Sequence, residues 1–475
     1  MKKVFLLLFL LGVFTNLGAQ PGATKRPFED ALVIADQWLE AMKDFDRLPG
    51  MTVSVIKDQQ VLFTGGYGYS DVENKKPMDT GTVFSICSIS KLFTAVAIMQ
   101  LVEQGKLRLD DSISAVLPSY NLPQQFAGSG PITIRSILTH SAGLPRDGNF
   151  SYWSAPDFIF PNEKELNEGM LQQKTVHPAS AFFQYSNLGI SLLGEVVAHL
   201  SKMPYEQYVE EKILKPLRLA STHPYMDKKA WGKTLAIGYD GMHRDGTRLK
   251  MPFFQTNGVA PAAGFSSNVT DLAAFAAWQF RLLKQDGHEL LRSSTLREMH
   301  RVQFIEPDWS VSRGLGFAVR NLNGKPVVGH GGSCPGYLTS LNLFTEDTIA
   351  IVVMVNAQAV STGKYTDGIY NLLKKPAGAA PATPVENIND YLGSYDSYAF
   401  AGESIVVKWN GNLAVMSVPS TDPSALTMLK HVSGDTFTVM KKNGKPTGMQ
   451  IVFGRDASGK VVKMTQGSSV QRRIK

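Results

Sequence analysis

The chain has 475 residues, of which 43% are hydrophobic and 19% are charged, a composition that is typical of a globular protein of about two to four domains and excludes a mostly disordered chain. Its 48 basic residues exceed its 41 acidic residues by seven, but they are scattered along the chain, so we predict no nucleic-acid-binding surface. The two cysteines, Cys87 and Cys334, exclude a disulfide framework and a cysteine-rich metal site.

The first predicted element is an export signal over residues 1–19. Lys2 and Lys3 precede an apolar run of 11 residues that ends at Phe14, and small residues follow it at 18–19. This run is too short to span a bilayer, which takes about 20 residues. The order of charged, apolar and small residues is typical of a secretory signal peptide. We therefore expect a periplasmic or secreted protein without a transmembrane segment.

The body of the chain, residues 28–372, alternates between helical and strand patterns. The predicted helices span 29–46, 91–102, 189–200 and 271–283, and the predicted strands include 51–57, 61–67, 341–344 and 349–355. Strands at both ends with helices between them predict one α/β unit, in which a single sheet joins the two ends of the body.

The end of the chain has a different composition. Residues 373–386 are rich in proline and alanine, which predicts a linker. In residues 387–475, short β-rich runs are joined by Asn-Gly at 410–411 and 443–444 and by Ser-Gly at 458–459. These signals predict a small antiparallel meander that curls into a barrel.

The first chemical motif is a serine and a lysine three residues apart, Ser88 and Lys91. On a helix these residues share one face, so the lysine can take the proton of the serine. The same spacing occurs at residues 54–57, in a predicted strand, and at residues 361–364, which polar, non-periodic sequence follows. Only Ser88 opens a long apolar helix, although the motif by itself favours an ordinary helix-capping serine.

Two further motifs each occur once in the chain. The first is the Tyr-x-Asn of Tyr185 and Asn187, in which a phenol can shuttle protons and an amide can hold the lysine or the substrate. The second is the His-x-Gly of His330 and Gly332, where a substrate can approach the strand closely and the following Ser333 amide can bind an oxyanion. In isolation, a core tyrosine is the better explanation of the first motif, and a glycine-rich turn with a surface histidine also explains the second.

Together, the three motifs occur in an order that resembles the serine β-lactamase and penicillin-binding-protein family. The similarity is to the branch of class C β-lactamases, DD-peptidases, D-aminopeptidases and related esterases. Residues 137–145, reading ILTHSAGLP, resemble the family segment LLTHTSGLP, and residues 82–91, 183–189 and 329–337 match as well. The resemblance spans about residues 28–372 in the family's order.

This resemblance implies a serine acyl-enzyme mechanism. Ser88 would attack a carbonyl group, Lys91 and Tyr185 would share the proton transfers, and the Ser88 and Ser333 amides would hold the oxyanion. The residues that would bind the oxyanion or the substrate are Asn187, His330, Gly332 and Ser333. The chain has no phosphate-binding loop and no histidine spacing typical of zinc, so we predict neither a cofactor nor a metal.

The resemblance also implies the fold. The body would be an α/β unit of the β-lactamase type, an antiparallel sheet flanked by helices with an added helical subdomain. The end of the chain is similar, over residues 391–395, to the lipocalin-like barrel that some members carry. Such a barrel can shape or cover the substrate cleft, and a carbohydrate- or partner-binding module is the alternative.

One departure from the family bears on the substrate. Many β-lactamases carry Lys-Thr-Gly or Lys-Ser-Gly at the third motif, where the ammonium helps to bind a carboxylate, and this chain has neither tripeptide. His330 would be largely neutral at pH 7, because an ordinary histidine has a pKa of about 6.5. We therefore expect a small ester or a short peptide or amide with a D-residue as substrate.

Two alternatives remain open at this point. One is a true β-lactamase or DD-carboxypeptidase, and the other is a non-catalytic binding or sensor protein that retains the fold. The sequence carries no signal for an oligomeric state. Cys87 and Cys334 lie inside two of the motifs, where in an oxidising compartment they would either form a disulfide or be two small buried residues.

Overall fold

The computed structural model describes residues 28–378, 381, 384–396 and 402–475. The predicted export signal lies outside these residues, as do four residues of the predicted linker. In the part of the chain that is described, no helix is both long enough and apolar enough to span a bilayer. Within the same residues, no group of histidine, cysteine, aspartate and glutamate side chains could hold a metal ion.

The body is built on one large antiparallel sheet. Two small two-stranded sheets, β4-β5 and β6-β7, accompany it. The strands of all three sheets are β1 Gly50–Lys57, β2 Gln60–Asp71, β3 Lys76–Pro77, β4 Val83–Ser85, β5 Ser266–Asn268, β6 His288–Glu289, β7 Leu291–Arg292, β8 Phe304–Ile305, β9 Ser312–Arg313, β10 Ala318–Leu322, β11 Lys325–Cys334, β12 Tyr337–Phe344 and β13 Ile349–Val355. Within the described residues, the large sheet has nine strands in the order β3-β2-β1-β13-β12-β11-β10-β9-β8.

The first and last strands of the body meet in the middle of this sheet. β1 pairs with β13 so that Met51 lies opposite Val355 and Lys57 opposite Ile349. Both strands are almost entirely buried, because helices cover both faces of the sheet. This explains the continuous apolar sequence of β13, whereas β1 also carries the buried Thr52 and Ser54. The predicted joining of the two ends of the body in one sheet is confirmed.

The helices of the described residues are α1 Glu29–Phe45, α2 Ser90–Glu103, α3 Ile113–Val116, α4 Ile134–Leu138, α5 Glu163–Met170, α6 Asn187–Ser201, α7 Tyr205–Val209, α8 Lys215–Leu217, α9 Ala260–Ala263, α10 Val269–Lys284, α11 Ser293–His300 and α12 Thr362–Lys374. α1 and α12 cover one face of the sheet. α10 packs on the other face of the sheet, and α2 and α6 pack together in the same core, which also contains the three sequence motifs. The expected β-lactamase type of fold is confirmed.

α12 corrects one prediction. The sequence after Ser361 was expected to be polar and non-periodic, but it forms a helix that buries Tyr365, Ile369 and Leu372. These residues recur at helical spacing between polar residues, and they pack against the same face of the sheet as α1. The serine and lysine at 361 and 364 therefore begin a structural helix, and Lys364 pairs with Asp46.

The end of the chain forms a closed antiparallel barrel, as predicted. Its strands are β14 Gly393–Asp396, β15 Glu403–Trp409, β16 Asn412–Val418, β17 Thr427–Ser433, β18 Thr436–Met440, β19 Pro446–Arg455, β20 Val461–Gln466 and β21 Ser469–Arg473. Aromatic side chains, among them Tyr391, Tyr395, Phe437 and Phe453, pack together in its interior.

The barrel packs on the face of the body opposite the catalytic motifs. Along β15, Val406 points into the barrel whereas Ile405 and Val407 join the core formed with α1. The Trp38 Nε1 of α1 donates a hydrogen bond of 2.9 Å to the Ser420 carbonyl. In the described residues the barrel thus rests on α1 and α12, on the face of the sheet opposite the three motifs.

Candidate active site

Ser88 lies in a tight turn directly before α2. The turn is a 3-10 segment, Cys87–Ile89, in which Cys87 has a left-handed backbone with φ of +51°. Ser90 stabilises it, since its hydroxyl donates to the Cys87 carbonyl and accepts a bond of 3.0 Å from the Phe265 amide. Non-glycine residues in this conformation are strained, and such strain is typical of functional sites. Ser88 itself stays partly exposed, as a nucleophile must be.

The Lys91 ammonium is hydrogen-bonded to the Ser88 hydroxyl. Its Nζ donates to Ser88 Oγ at 3.2 Å, to Asn187 Oδ1 at 2.8 Å and to the Ala262 carbonyl at 2.7 Å. The lysine is fully buried, because α2 is apolar all round and its residues from Ser90 to Leu101 are buried. Its three donors are thus all used, and one of them is directed at the hydroxyl that a base would deprotonate.

Asp147 determines how the Asn187 amide is oriented. Asn187 Nδ2 donates a bond of 2.6 Å to Asp147 Oδ1, so its oxygen end is turned toward Lys91. Tyr152 donates to the same carboxylate oxygen at 2.6 Å, and Arg146 Nε donates to the other at 3.0 Å. The carboxylate therefore lies at the base of a chain of hydrogen bonds that runs through Asn187 and Lys91 to the nucleophile.

Tyr185 lies beside this chain without being bonded to it. Lys91 Nζ is 4.8 Å from the centre of the Tyr185 ring, and the ring centres of Tyr185 and His330 are 6.3 Å apart. Among the described residues, the Tyr185 hydroxyl forms no hydrogen bond to Ser88 or to Lys91. Lys91 is thus the group in direct contact with the nucleophile, and Tyr185 is positioned next to that pair.

His140 holds the segment that carries Tyr185. The His140 carbonyl accepts a bond of 2.7 Å from the Gln184 amide, and its Nδ1 accepts one of 3.2 Å from the Ser186 amide. The imidazole also packs on the Tyr185 ring with centres 4.3 Å apart. Burial, aided by the charge of Lys91, lowers the pKa of His140 well below its ordinary value. His140 therefore bonds to the residues on both sides of Tyr185, to Gln184 through its carbonyl and to Ser186 through its neutral imidazole.

Gly332 allows β11 to lie against the nucleophile turn. A Cβ atom at this position would lie 2.2 Å from the Ile86 carbonyl oxygen and 3.1 Å from Cys87 Cβ, so no side chain fits. Gly332 thus has a packing role in addition to the predicted role of letting a substrate approach the strand closely. It brings Ser333 beside the nucleophile turn, with the Ser333 hydroxyl directed away toward Gln358 at 3.4 Å.

His330 is neutral in the structure, in agreement with the sequence-based expectation. It is 8% exposed, and burial lowers its pKa to about 3, with the charges of Lys91 and Arg313 adding to the effect. Its Nδ1 lies 2.6 Å from the Gly331 carbonyl oxygen and must donate to it. His330 therefore cannot act at pH 7 as the cation that the third motif provides in many β-lactamases.

The two cysteines are free buried thiols. Cys334 lies beside Cys87, and burial, together with this neighbour, raises the pKa of the Cys87 thiol well above its ordinary value. Of the two alternatives left open by the sequence, the structure agrees with the second: Cys87 and Cys334 are small buried residues and do not form a disulfide.

Three further residues line the site, although the sequence analysis did not name them as functional. They are His140, Asp147 and Arg313. The first two lie in or just after the segment 137–145, whose match to the family was the one signal for them. Arg313 had no signal, because β9 has only two residues and no periodicity can be seen in so short a strand. Its guanidinium lies 4.6 Å from the Phe183 ring centre.

The structure brings these predicted residues together. Lys91 is hydrogen-bonded to both Ser88 and Asn187, Tyr185 and His330 flank this group, and Gly332 packs on the turn that carries Ser88. A hydroxyl hydrogen-bonded to an amine, with that amine oriented by a third group, is an arrangement suited to nucleophilic catalysis.

Comparisons with known proteins cover most of the body of the chain. The family model described as Beta-lactamase matches residues 35–372. Protein flp of Staphylococcus aureus (strain MW2) is 26% identical over 319 residues, which cover 65% of this chain and 60% of that protein. The chain thus spans about 60% of the length of this relative.

Two solved structures share the fold. The octameric penicillin-binding protein homologue from Pyrococcus abyssi superposes with a TM-score of 0.62 at 23% identity, over 92% of this chain and 98% of that one. The D-amino acid amidase from Ochrobactrum anthropi SV3 superposes with a TM-score of 0.59 at 24% identity, over 72% of this chain and 96% of that one.

Proposed function

The chain belongs to the Beta-lactamase family over residues 35–372, and from this premise we propose that it is a serine hydrolase that forms an acyl-enzyme on Ser88. The observation that carries the proposal is the contact of 3.2 Å between Lys91 Nζ and Ser88 Oγ at the start of a buried helix. A serine is a weak nucleophile by itself, and an adjacent amine can activate it by taking its proton.

In the acylation step, Ser88 Oγ attacks the carbonyl carbon of the substrate. The hydroxyl proton passes to the neutral amine form of Lys91, while the Ser88 and Ser333 amides stabilise the negative charge on the carbonyl oxygen. When the tetrahedral intermediate collapses, the bond to the leaving group breaks and the leaving group takes a proton. Tyr185, which lies beside the Lys91 ammonium, delivers it.

In the deacylation step, a water molecule attacks the ester on Ser88. Lys91 and Tyr185 remove a proton from this water and return one to Ser88 Oγ, which restores the free enzyme. The chain of hydrogen bonds from Asp147 through Asn187 keeps the Lys91 Nζ in place throughout. No cofactor and no metal takes part in the proposed steps.

The proposed substrates are esters, and peptides or amides that contain a D-residue. The neutral His330 and the lack of Lys-Thr-Gly favour them over β-lactams, because the site has no lysine at the third motif for a β-lactam carboxylate. We further propose that residues 1–19 export the protein to the periplasm or the medium, since their pattern is that of a signal peptide.

A parallel rate panel tests the proposed function. It compares p-nitrophenyl acetate, a D-aminoacyl amide, a D-Ala-D-Ala peptide and nitrocefin for the wild type and for Ser88→Ala. We expect faster turnover of the ester than of nitrocefin, and a loss of about 1,000-fold or more in Ser88→Ala. Ser361→Ala is the matched control, because it removes a serine of the same Ser-x-x-Lys spacing outside the cleft. An active Ser88→Ala enzyme would contradict the mechanism. Faster turnover of nitrocefin than of the ester would contradict the proposed choice of substrate.

A further inference from the structure

We propose that a cavity at the end of α2 remote from Ser88, which we call the α2 cavity, binds a small anion that also carries hydroxyl groups, such as a sugar phosphate or a sugar acid. The α2 cavity has a volume of about 600 Å³, and residues of α2, α7, α8, β6 and β7 line it. This volume is typical of small-molecule sites, which measure about 300–1,000 Å³. Gln100 in its wall lies about 15 Å along the helix axis from Ser90, so the cavity is separate from the catalytic site.

Two residues of the cavity wall hold buried polar atoms that lack a partner. Gln100 is 8% exposed and Tyr208 is 3% exposed, and among the described residues neither Gln100 Oε1 nor Tyr208 Oη has a hydrogen-bond partner. The orientation of the Gln100 amide is fixed, because its Nε2 donates to the Lys212 carbonyl at 3.2 Å and to the Leu290 carbonyl at 3.3 Å. Buried polar groups are costly when they are unpaired, so a polar ligand that bonds to both atoms removes this cost.

The backbone around the α2 cavity departs from regular structure at two places. Glu210–Leu214 is a π-helical segment between α7 and α8, and Leu290, between β6 and β7, has a left-handed backbone with φ of +63°. Both conformations are rare for ordinary residues, and both occur often at functional sites. Each of the two places directs a carbonyl, that of Lys212 or that of Leu290, at the Gln100 amide. The irregular backbone thus holds the amide that carries the unpaired Oε1.

The charges of the cavity wall that the protein leaves unpaired are positive. Lys106 and Arg292 line the α2 cavity and are exposed, and in the part of the chain that is described their side chains form no ion pair and no hydrogen bond. The two carboxylates of the wall are already bonded. Glu103 Oε1 accepts a bond of 2.7 Å from the Arg292 amide, and Glu211 pairs with Lys212 at 3.9 Å. The wall therefore favours an anionic ligand.

The chemistry of these groups together selects the ligand. Lys106 and Arg292 bind the anionic group, and a guanidinium suits the oxygens of a phosphate and of a carboxylate alike. Gln100 Oε1 can only accept, so it requires a donor such as a hydroxyl group. Burial raises the pKa of Tyr208, although the neighbouring Gln104 offsets part of the effect, so Tyr208 is a neutral phenol that can donate to a ligand oxygen. A hydroxylated carbon chain with one anionic group meets all these demands.

Isothermal titration calorimetry of the wild-type protein with four probes tests the proposal. The probes are glucose 6-phosphate, gluconate, glucose and inorganic phosphate, so that the hydroxyl groups and the charge are varied separately. We expect glucose 6-phosphate or gluconate to bind with a Kd of about 1 mM or lower, and glucose and inorganic phosphate to bind at least about tenfold more weakly. The comparison of glucose 6-phosphate with gluconate distinguishes a phosphate from a carboxylate as the anionic group.

Two variants show whether the α2 cavity is the place of binding. Tyr208→Phe keeps the buried ring and removes the hydroxyl, and it should raise the Kd of the bound anion about 3- to 10-fold. Arg292→Gln removes an exposed charge and should raise it about 5- to 50-fold. Arg244→Gln is the matched control, because Arg244 is also exposed but lies outside the cavity wall, and its Kd should stay within about twofold of the wild-type value.

Three results would overturn the proposal. The first is that neither glucose 6-phosphate nor gluconate binds at concentrations up to about 10 mM. The second is that glucose or inorganic phosphate binds as tightly as the hydroxylated anions. The third is an unchanged Kd in Tyr208→Phe or in Arg292→Gln, with the melting temperature of the unliganded variant showing that it is folded. The test reads binding alone, so its outcome does not depend on hydrolysis at Ser88.

Discussion

At the scale of single residues, the site depends on groups that never touch a substrate. Asp147 is a positioning residue: its carboxylate accepts from Asn187 Nδ2, and this leaves the Asn187 oxygen for Lys91. An amide in place of the carboxylate could donate as well as accept, so it would no longer select one orientation of Asn187.

We therefore predict that Asp147→Asn lowers kcat about 10- to 100-fold and leaves KM nearly unchanged. The measurement is steady-state hydrolysis of p-nitrophenyl acetate. Asp308→Asn is the control, since Asp308 is exposed and bonds only within its own loop, to Ser310. A rise in KM with an unchanged kcat would show that Asp147 contributes to substrate binding and does not orient the lysine.

The order of the motifs was sufficient to predict Ser88, Lys91, Tyr185 and Asn187 as neighbours, because each motif carries its chemistry within three or four residues. Arg313 could not be found in this way. Its position in the cleft depends on the pairing of β9 with β10 and β11, and no short stretch of sequence records such a pairing.

At the scale of elements, α12 is the part that joins the body to the barrel. A Cβ atom on Gly368 would lie 2.7 Å from the ring of Trp38 in α1 and 2.9 Å from Pro423 in the barrel. Trp38 is fully buried, so its ring cannot move aside cheaply. The glycine therefore allows α12, α1 and the barrel to meet.

We predict that Gly368→Ala lowers the free energy of unfolding by about 1–3 kcal/mol through overpacking. Gly363→Ala in the same helix is the matched control, because its nearest neighbour is Ser361 Oγ at 3.7 Å; it should raise the free energy of unfolding by up to about 1 kcal/mol. Urea denaturation of both variants measures the difference. Equal stabilities would contradict a tight three-way contact at Gly368.

Long periodic helices were predictable as elements. α1, α2, α6 and α10 lie within two residues of their predicted bounds, because their apolar residues repeat over three turns or more. β8 and β9, with two residues each, are too short for any such pattern.

At the scale of the whole molecule, buried histidines make stability depend on pH. Burial lowers the pKa of His300 and of His330 to about 3, and it lowers the pKa of His140 well below its ordinary value. In the unfolded chain these histidines titrate near about 6.5. Below that pH the unfolded chain binds protons that the folded chain does not. The free energy of unfolding therefore decreases as the pH is lowered. Glu195, whose pKa burial raises to about 7, opposes this. Asp271 and Glu403, whose pKa values burial also raises, act in the same direction as Glu195.

We predict that the urea midpoint falls between pH 7 and pH 5. His300→Gln removes one of these titrating groups, which lies near Gln279. In this variant the free energy of unfolding should fall less than in the wild type, by up to about 1.4 kcal/mol per pH unit below pH 6.5. His288→Gln, at an exposed position, is the control and should behave like the wild type. A midpoint that rises toward pH 5 would show that the buried histidines do not dominate the acid response.

The presence of the barrel could be predicted from the turn signals of its strands, but its location could not. Ile405 and Val407 point outward because they face α1, and alternation along a strand shows that two faces differ without showing what covers each of them. The sequence therefore allowed a barrel over the cleft, and the structure has it on the opposite face of the sheet.

The central claim is that Ser88 becomes acylated. The most direct measurement is labelling with a fluorophosphonate probe, followed by mass spectrometry of the peptide that contains residue 88. We predict one label per chain on Ser88, none on Ser88→Ala, and unchanged labelling of Ser361→Ala. Absence of labelling in the wild type, or undiminished labelling of Ser88→Ala, would contradict the account.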